Sequence, residues 1–274
     1  MSGNKKSWFS LNIFADNNTR EILSAFLNDG CLGSLETKDH SKFYFEPHER
    51  QEKELILEKY SDQYELKWSW EQIKQEAWHL AWQDRFKPIV IDEDLIIVPE
   101  WDTVTKAKNL IRIRPGMAFG TGHHATTKLM LKAIQGYLKK GMKVLDVGTG
   151  SGILAILCKN LGSDLVQCVE FDVDCEDNFH DNLKLNGIQS GVTLNISDIL
   201  NWSDFSYDII LANVNRSAIM DMIPNLRNAN GLIIFSGLLI TDEEIITRQC
   251  KKYRLTVINK MSENEWICLI AKKM

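Results

Sequence analysis

The sequence predicts an α/β fold with a seven-stranded, mostly parallel sheet, preceded by a smaller α+β unit. From residue 143 onward, short apolar runs alternate with segments of helical spacing, as in sheets whose strands are buried on both faces. Residues 8–70 instead show the order β-α-β-β-α-β. We therefore expect three regions: a first domain over 1–70, a helical or irregular connector over 71–112, and a large domain over 113–274.

The first region has the element order of a ferredoxin-like unit. Alternating aromatic and β-branched residues predict its strands, and helical spacing predicts its helices. The strands are predicted over 8–14, 32–37, 42–45 and 64–70, and the helices over 19–27 and 49–60. Helices on one face of such a sheet leave the other face free to bind a partner, and a purely structural appendage is the alternative.

The connector is predicted to begin with a helix over 72–82, where Ile73, Ala77 and Leu80 lie on one stripe. The two tryptophans of this segment are interpreted as packing between domains. A strand is predicted further on, over 95–98.

The large region alternates strands and helices and ends with two strands in succession. The strands are predicted over 143–147, 165–171, 192–196, 207–213, 232–237, 255–259 and 266–271, and helices follow residues 127 and 152 and cover 174–185, 218–226 and 242–253. Because no helix separates the last two strands, we expect them to pair antiparallel at one edge.

The composition is that of a globular protein: 44% of the 274 residues are hydrophobic and 25% are charged. No apolar run approaches a membrane span of roughly 20 residues, and the first residues lack the apolar core of a signal peptide, so we expect a cytoplasmic protein. The six cysteines form no C-x-x-C pair and predict reduced core residues without a metal site. A net charge of -5 argues against specific binding to nucleic acid and fits a basic protein substrate.

A glycine-rich turn links the strand at 143–147 to the next helix. Gly148, Gly150 and Gly152 allow a sharp turn and close approach of a ligand, and the new helix offers free N-H groups. A dinucleotide fingerprint would place its third glycine at position 153, which is Ile153. The G-x-G-x-G spacing after Asp146 is instead similar to the first motif of class I S-adenosylmethionine-dependent methyltransferases. A nicotinamide or flavin enzyme and a structural turn remain alternatives.

Polar residues follow the second and fourth strands of this sheet. Glu170 lies about 20 positions past the glycines, where a carboxylate can accept hydrogen bonds from ribose hydroxyls, whereas Asp172 and Asp174 are interpreted as helix caps. Asn213 can accept a hydrogen bond from an amine and donate one to the cofactor. Neither proline nor an aromatic residue follows Asn213, which favours an aliphatic amine over a planar base.

A second glycine-rich segment, residues 114–127, precedes a helix and is predicted to be a mobile ligand cover. No Gly-Lys-Ser or Gly-Lys-Thr follows, so it is not a phosphate loop. In a purely structural interpretation Thr126 or Thr127 would cap the helix, and one residue can serve as both cap and ligand contact. Adjacent His123 and His124 cannot easily face one ion from a regular element, and a metal is not expected.

Together, residues 115–127, the glycine turn, residues 211–213 and the phrase Ala-Trp-Gln-Asp-Arg-Phe at 81–86 resemble the bacterial ribosomal protein L11 methyltransferase family (PrmA). The resemblance covers about residue 78 to the end. It implies a Rossmann-like class I methyltransferase domain, S-adenosyl-L-methionine as cofactor, and ribosomal protein L11 as the partner recognised by the first domain. Methyl groups would be transferred to lysine side chains and to the terminal amine.

The resemblance also implies roles for particular residues. Thr127, Gly148, Glu170 and Asn213 would contact the cofactor, with Gly150 in the same turn, and Asn213 would face the acceptor nitrogen. The chain departs from the family pattern at Arg114 and Glu170, where aspartate is common, and at residues 123–125, where Thr-His-Pro is common. Methylation of another protein or of a small amine, and cofactor binding without turnover, are the alternative functions.

Overall fold

A computed structural model describes residues 7–27, 30–36, 40–61, 63–74, 87–115 and 120–274. The chain forms two compact units, residues 1–85 and residues 86–274. Each unit has its own apolar core.

The first unit contains a four-stranded antiparallel sheet and two helices in the expected β-α-β-β-α-β order. Its elements are β1 (Ser7–Phe14), α1 (Asn17–Leu27), β2 (Cys31–Glu36), β3 (Ser41–Phe45), α2 (Arg50–Ser61) and β4 (Lys67–Lys74), and the strand order is β2-β3-β1-β4. Leu11 and Phe43 are buried in one cluster with Leu23 of α1 and Leu57 of α2. Alternation along the strands therefore places the even-numbered residues of β1 and β3 on the sheet face that points away from the helices.

The end of this unit differs from the prediction. Residues 72–74 continue β4 and do not begin a helix, because β1 pairs with β4 as far as Ser7 opposite Lys74. Those pairings occupy backbone groups that a helix would need. Residues 75–82, the remainder of the predicted helix, lie outside the described part of the chain.

The second unit begins with a small sheet that the sequence only partly predicted. β5 (Ile89–Val90), β6 (Leu95–Pro99) and β7 (Asn109–Ile113) pair in this order, with β6 and β7 parallel. Only β6 was predicted. Each residue of β7 pairs with the residue 14 positions upstream in β6, as Asn109 does with Leu95, so a window centred on the five residues of β7 contains no sign of the pairing.

The large sheet has the predicted seven strands. Its elements are α3 (Ala125–Tyr137), β8 (Lys143–Val147), α4 (Ile153–Asn160), β9 (Leu165–Glu170), α5 (Glu176–Leu185), β10 (Val192–Ile196), β11 (Ile209–Asn213), α6 (Arg216–Met222), β12 (Leu232–Leu239), α7 (Glu243–Lys252), β13 (Leu255–Glu263) and β14 (Trp266–Lys273). The order is β10-β9-β8-β11-β12-β14-β13, and the first five strands are parallel. The predicted antiparallel pair at the edge is confirmed.

Alternate residues of the central strands enter two different cores. Val144 and Leu211 pack with residues of α3, α4 and α5, whereas Leu145 and Ile210 pack with residues of α6 and α7. Both faces of the sheet are therefore apolar, which explains the continuous apolar runs of β8 and β11. Glu170 ends β9 and Asn213 ends β11, so these polar residues lie at the carboxyl edge of the sheet, where open α/β sheets bind ligands.

Two helix boundaries of the large unit also differ from prediction. Residues 173–175 form a short 3-10 turn before α5, and residues 225–228 form another beyond α6. In the described part of the chain, no helix has the length and apolar character needed to cross a membrane.

The first testable prediction concerns Arg254, which follows α7 with a φ of 64°. A left-handed conformation is unfavourable for a residue with a Cβ, and glycine adopts it freely at the end of a helix. We expect Arg254→Gly to raise the free energy of unfolding by about 1 kcal/mol in urea titrations. Arg248→Gly, inside the same helix, should lower it by about 1 kcal/mol. A loss of stability in both variants would contradict the prediction.

Candidate active site at the carboxyl edge of the sheet

The turn between β8 and α4 requires glycine at several positions. Gly148, Gly150 and Gly152 have φ values of 67°, 51° and 79°. A Cβ on Gly148 would lie 2.3 Å from Cγ1 of Val214, and a Cβ on Gly152 would lie 2.8 Å from Cδ2 of Phe179. Side chains at these positions would therefore be strained and would displace neighbours. The three glycines carry no side chains, so a ligand can approach the backbone closely at these positions.

Glu170, at the end of β9, contacts this turn directly. Its Oε2 accepts a hydrogen bond from the Gly150 amide at 2.8 Å, and its Oε1 accepts from the amides of Phe171 and Asp172. A carboxylate can accept about four hydrogen bonds, so capacity remains for a hydroxyl donor. The structure thus places a predicted site residue next to the predicted turn. Asp172 accepts from the Asp174 amide at 2.9 Å, which confirms its predicted capping role.

Asn213 and Thr127 meet although 86 positions separate them. The Asn213 Nδ2 donates to Oγ1 of Thr127 at 3.5 Å. Thr127 is fully buried in the first turn of α3, and the buried Oδ1 of Asn213 has no hydrogen-bond partner within the described chain. A buried amide oxygen without a donor is costly. The site therefore has an acceptor that a bound amine or ligand N-H group would satisfy.

The cap of α3 differs from the prediction. The helix begins at Ala125, so the capping position falls on His124 and not on Thr126 or Thr127. The His124 Nδ1 accepts a hydrogen bond from the Thr126 amide at 3.3 Å. The same ring contacts Trp266 edge-to-face, with the centroids 4.6 Å apart. Thr127 is consequently not used for capping, and its hydroxyl points to Asn213.

Asp146, the acid that precedes the glycine turn, is fully buried beneath it. Its Oδ2 accepts a hydrogen bond from the hydroxyl of Thr149 at 2.7 Å. Burial raises the pKa of Asp146 to about 7, and the nearby Glu170 adds to the effect. Burial and the proximity of Asp146 also raise the pKa values of the Cys158 and Cys168 thiols. Motif spacing identified this aspartate but not its burial, because burial depends on the helices that cover the sheet.

Two predictions concern the neighbouring loop, a ligand cover and the absence of a metal site. Residues 116–119 lie outside the described chain, so the expected ligand cover stays a prediction. The described residues contain no group of three His, Cys, Asp or Glu side chains that could hold a metal ion. The residues brought together at this edge are Thr127, Gly148, Gly150, Glu170 and Asn213, which are the five predicted cofactor contacts.

This arrangement defines the class of protein. A seven-stranded sheet of the order observed, a glycine turn after its central strand, and an acid after the next strand characterise class I S-adenosylmethionine-dependent methyltransferases. The fold is the Rossmann-like one expected from the sequence.

Comparisons with known proteins define the family. Residues 9–274 match the family described as "Ribosomal protein L11 methyltransferase (PrmA)". The chain is 38% identical over 212 residues to a protein of that name from Lactobacillus johnsonii and 34% identical to one from Macrococcus caseolyticus. These alignments cover 75% and 76% of this chain and 67% and 69% of the relatives. The chain belongs to the ribosomal protein L11 methyltransferase family.

A solved structure is consistent with this assignment. The crystal structure of a ribosomal protein L11 methylase from Lactobacillus delbrueckii subsp. bulgaricus superimposes with a TM-score of 0.64 at 32% identity. The match covers 69% of this chain and 99% of that chain.

The second testable prediction concerns the buried Asp146. An unfolded aspartate titrates near pH 4, so between about pH 4 and pH 7 the folded chain binds one more proton than the unfolded chain. The contribution of this group to the free energy of unfolding therefore falls as pH rises through that window. In urea unfolding, the stability of the wild type relative to Asp146→Asn should decrease from pH 5 to pH 8. A constant difference across this range would contradict the shifted pKa.

Proposed function

We propose that this protein transfers methyl groups from S-adenosylmethionine to lysine side chains and the terminal amine of ribosomal protein L11. The observation that carries the proposal is the buried Oδ1 of Asn213 beside the glycine turn, an acceptor to which no group of the described residues donates. The family assignment and the names of the relatives support the same acceptor protein. Ribosomal proteins are made in the cytoplasm, where we expect this protein to act.

The residues at the sheet edge fit the proposed cofactor. Gly148 and Gly150 carry no side chain that would separate the backbone of the turn from a ligand, and Glu170 keeps free acceptor capacity for ribose hydroxyls. Thr127 and Asn213 supply a hydroxyl and an amide on the opposite side of the central strand. When bound, S-adenosylmethionine supplies an electrophilic methyl group on a sulfonium centre.

The main task of the protein is then to orient the acceptor nitrogen. The bond from the Asn213 Nδ2 to Thr127 fixes the side-chain amide, so that its Oδ1 is directed to a different donor. An N-H group of the acceptor amine can be that donor. A fixed direction for the nitrogen reduces the entropic barrier to displacement, an effect that contributes up to several kcal/mol in oriented reactions.

The acceptor amine must also be unprotonated. A free lysine has a pKa near 10.4, and removal from water lowers it because the charged form is disfavoured. Asn213 is a neutral acceptor, so it does not stabilise an ammonium group as a carboxylate would. The proposal accordingly requires no general base.

We assign substrate recognition to the first domain. On this view residues 1–70 recognise the protein substrate and residues 113–274 carry the chemistry. Of the predicted connector over 71–112, residues 71–74 continue β4 of the first unit and residues 87–112 belong to the second unit. The face of the first sheet that points away from α1 and α2 supports this role, since it presents both charged and aromatic side chains. Lys42 pairs with Glu71 at 3.5 Å and lies over the ring of Tyr44. Phe14 on the same face is 44% exposed.

The third testable prediction is methylation of purified ribosomal protein L11 in the presence of S-adenosylmethionine. Intact-mass analysis should show gains in methyl-sized steps with the wild type, and peptide mapping should locate them on lysine and terminal amines. Asn213→Ala should lower kcat at least tenfold, because the acceptor nitrogen loses its fixed partner. Asn215→Ala is the matched control, since Asn215 caps α6 through a bond from the Ala218 amide.

The outcomes separate the alternatives. If the cofactor binds but ribosomal protein L11 gains no mass, the acceptor would be another protein or a small amine, or the protein would bind the cofactor without turnover. Full activity in Asn213→Ala would refute the assigned role of this residue.

The fourth testable prediction concerns the first domain. Phe14→Ala should raise the KM for ribosomal protein L11 severalfold and leave the affinity for S-adenosylhomocysteine unchanged, because it removes apolar contact area from the proposed recognition face. Leu55, which is 61% exposed on α2, belongs to the opposite layer of the domain. Leu55→Ala should leave both quantities unchanged in steady-state kinetics and calorimetry. Equal KM values for the two variants would contradict recognition through the sheet face.

A further inference from the structure

Two asparagines of α5 and the asparagine that caps its C-terminus bond to the backbone that leads into the loop before α3. Asn178, Asn182 and Asn186 are spaced four residues apart and so lie on one face of the helix. Asn186 accepts a hydrogen bond from the Arg112 amide at 2.9 Å and donates to the Arg112 carbonyl at 2.7 Å. Asn178 donates to the Arg114 carbonyl at 3.1 Å. Side-chain amides of a helix thus take the place of a neighbouring strand along β7.

Asn182 differs from the other two because it also reaches the glycine turn. Its Oδ1 accepts from the Arg114 amide at 2.7 Å, and its Nδ2 donates to the Ser151 carbonyl at 2.9 Å. The side chain is fully buried. One amide therefore connects the start of the loop to the turn, and both of its ends are occupied by backbone groups.

The other described end of the loop is attached to the same residue of the turn. The hydroxyl of Ser151 donates to the carbonyl of Gly120 at 2.8 Å. Gly120 has a φ of 105°, and a Cβ there would lie 2.7 Å from this hydroxyl oxygen. Ser151 consequently contacts the loop through its own side chain at one end and through Asn182 at the other.

Charged contacts hold Arg114 in the same place. Its Nε donates to Oε2 of Glu100 at 2.8 Å, and its Nη1 bonds to Asp181, the neighbour of Asn182 on α5. Two carboxylates, one just after β6 and one on α5, therefore hold the Arg114 side chain. Asn182 links the backbone amide of this residue to the glycine turn through the Ser151 carbonyl.

We propose that Asn182 is a positioning residue that couples the loop before α3 to the glycine turn, so that cofactor affinity depends on it. The inference rests on the proposed function for the identity of the ligand. Within the described residues, the hydrogen bonds of the Asn182 side chain go to Arg114, Ser151 and Asn178 and to none of the five predicted cofactor contacts. It acts through Ser151, the residue between Gly150 and Gly152, and through Arg114.

The fifth testable prediction compares Asn182→Ala with Asn186→Ala. The Asn182 amide bonds two backbone groups, at Arg114 and Ser151, and the Asn186 amide bonds three, two at Arg112 and the carbonyl of Asn182. Only the first substitution removes a bond to the glycine turn. Calorimetric titration with S-adenosylhomocysteine should show at least tenfold weaker binding to Asn182→Ala and binding within twofold of wild type to Asn186→Ala. Hydrogen exchange of the ligand-free chains should accelerate in peptides that cover residues 148–152 only in Asn182→Ala.

Two further measurements make the result decisive. Thermal unfolding of each variant separates general destabilisation from a specific loss of affinity, since both variants are expected to unfold at lower temperature. If Asn182→Ala fails to fold, Asn182→Asp at pH 8 tests the same coupling, because an ionised carboxylate can still accept from the Arg114 amide but cannot donate to the Ser151 carbonyl, and it should also weaken binding. Wild-type affinity in Asn182→Ala, or in a folded Asn182→Asp that replaces it, would overturn the inference.

Failure of this inference is distinguishable from failure of the proposed function. If the wild type does not bind S-adenosylhomocysteine, the assigned cofactor is wrong. The exchange experiment still tests the physical connection in that case, and unchanged exchange of the turn in Asn182→Ala would refute it. If the wild type binds and both asparagine variants lose affinity equally, the effect is general and Asn182 has no special role.

Discussion

The glycine turn after β8 is the constraint on which the rest of the site depends. Its residues bond to separate elements: the Gly148 amide to the Val169 carbonyl, the Thr149 hydroxyl to Asp146, and the Gly150 amide to Glu170. Ser151 contacts the loop before α3. Left-handed glycine conformations allow these groups to point in different directions within five residues. A change in the turn would therefore alter β9, the loop and the buried acid together.

The acceptor side of the site is built by packing around Asn213. Val214, the next residue, is held between two glycines, since a Cβ on Gly148 would meet its side chain and a Cβ on Gly237 would lie 2.2 Å from its carbonyl oxygen. This confinement fixes the backbone at the end of β11. The amide of Asn213 is then oriented by Thr127, so its free oxygen has a defined direction before any ligand binds. Such preorganisation is how a neutral residue contributes to a displacement reaction.

The prediction from sequence was most accurate where the evidence was periodic and local. Continuous apolar runs located the strands of the large sheet, because burial on both faces leaves a strong pattern. Short β5 and β7 were missed, since their pairing is not visible in their few residues. The start of the predicted helix at 72–82 was wrong because β4 continues through Lys74. The candidate helix caps, Thr126 and Thr127, lie two and three residues after the observed cap, because His124 accepts through a ring nitrogen, a less common choice for a cap.

The sequence by itself determined the order of the elements and the glycine spacing, which are properties of neighbouring residues. The five candidate cofactor contacts came from these motifs together with the family resemblance, and they stay a prediction. Only the tertiary structure decided that Asn213 meets Thr127, that Asp146 is buried with a raised pKa, and that Asn182 joins two segments. Each of these depends on contacts or burial supplied by distant elements. Chain folding brings such groups together through the packing of whole helices and strands, and no local pattern records which polar atoms will then face each other.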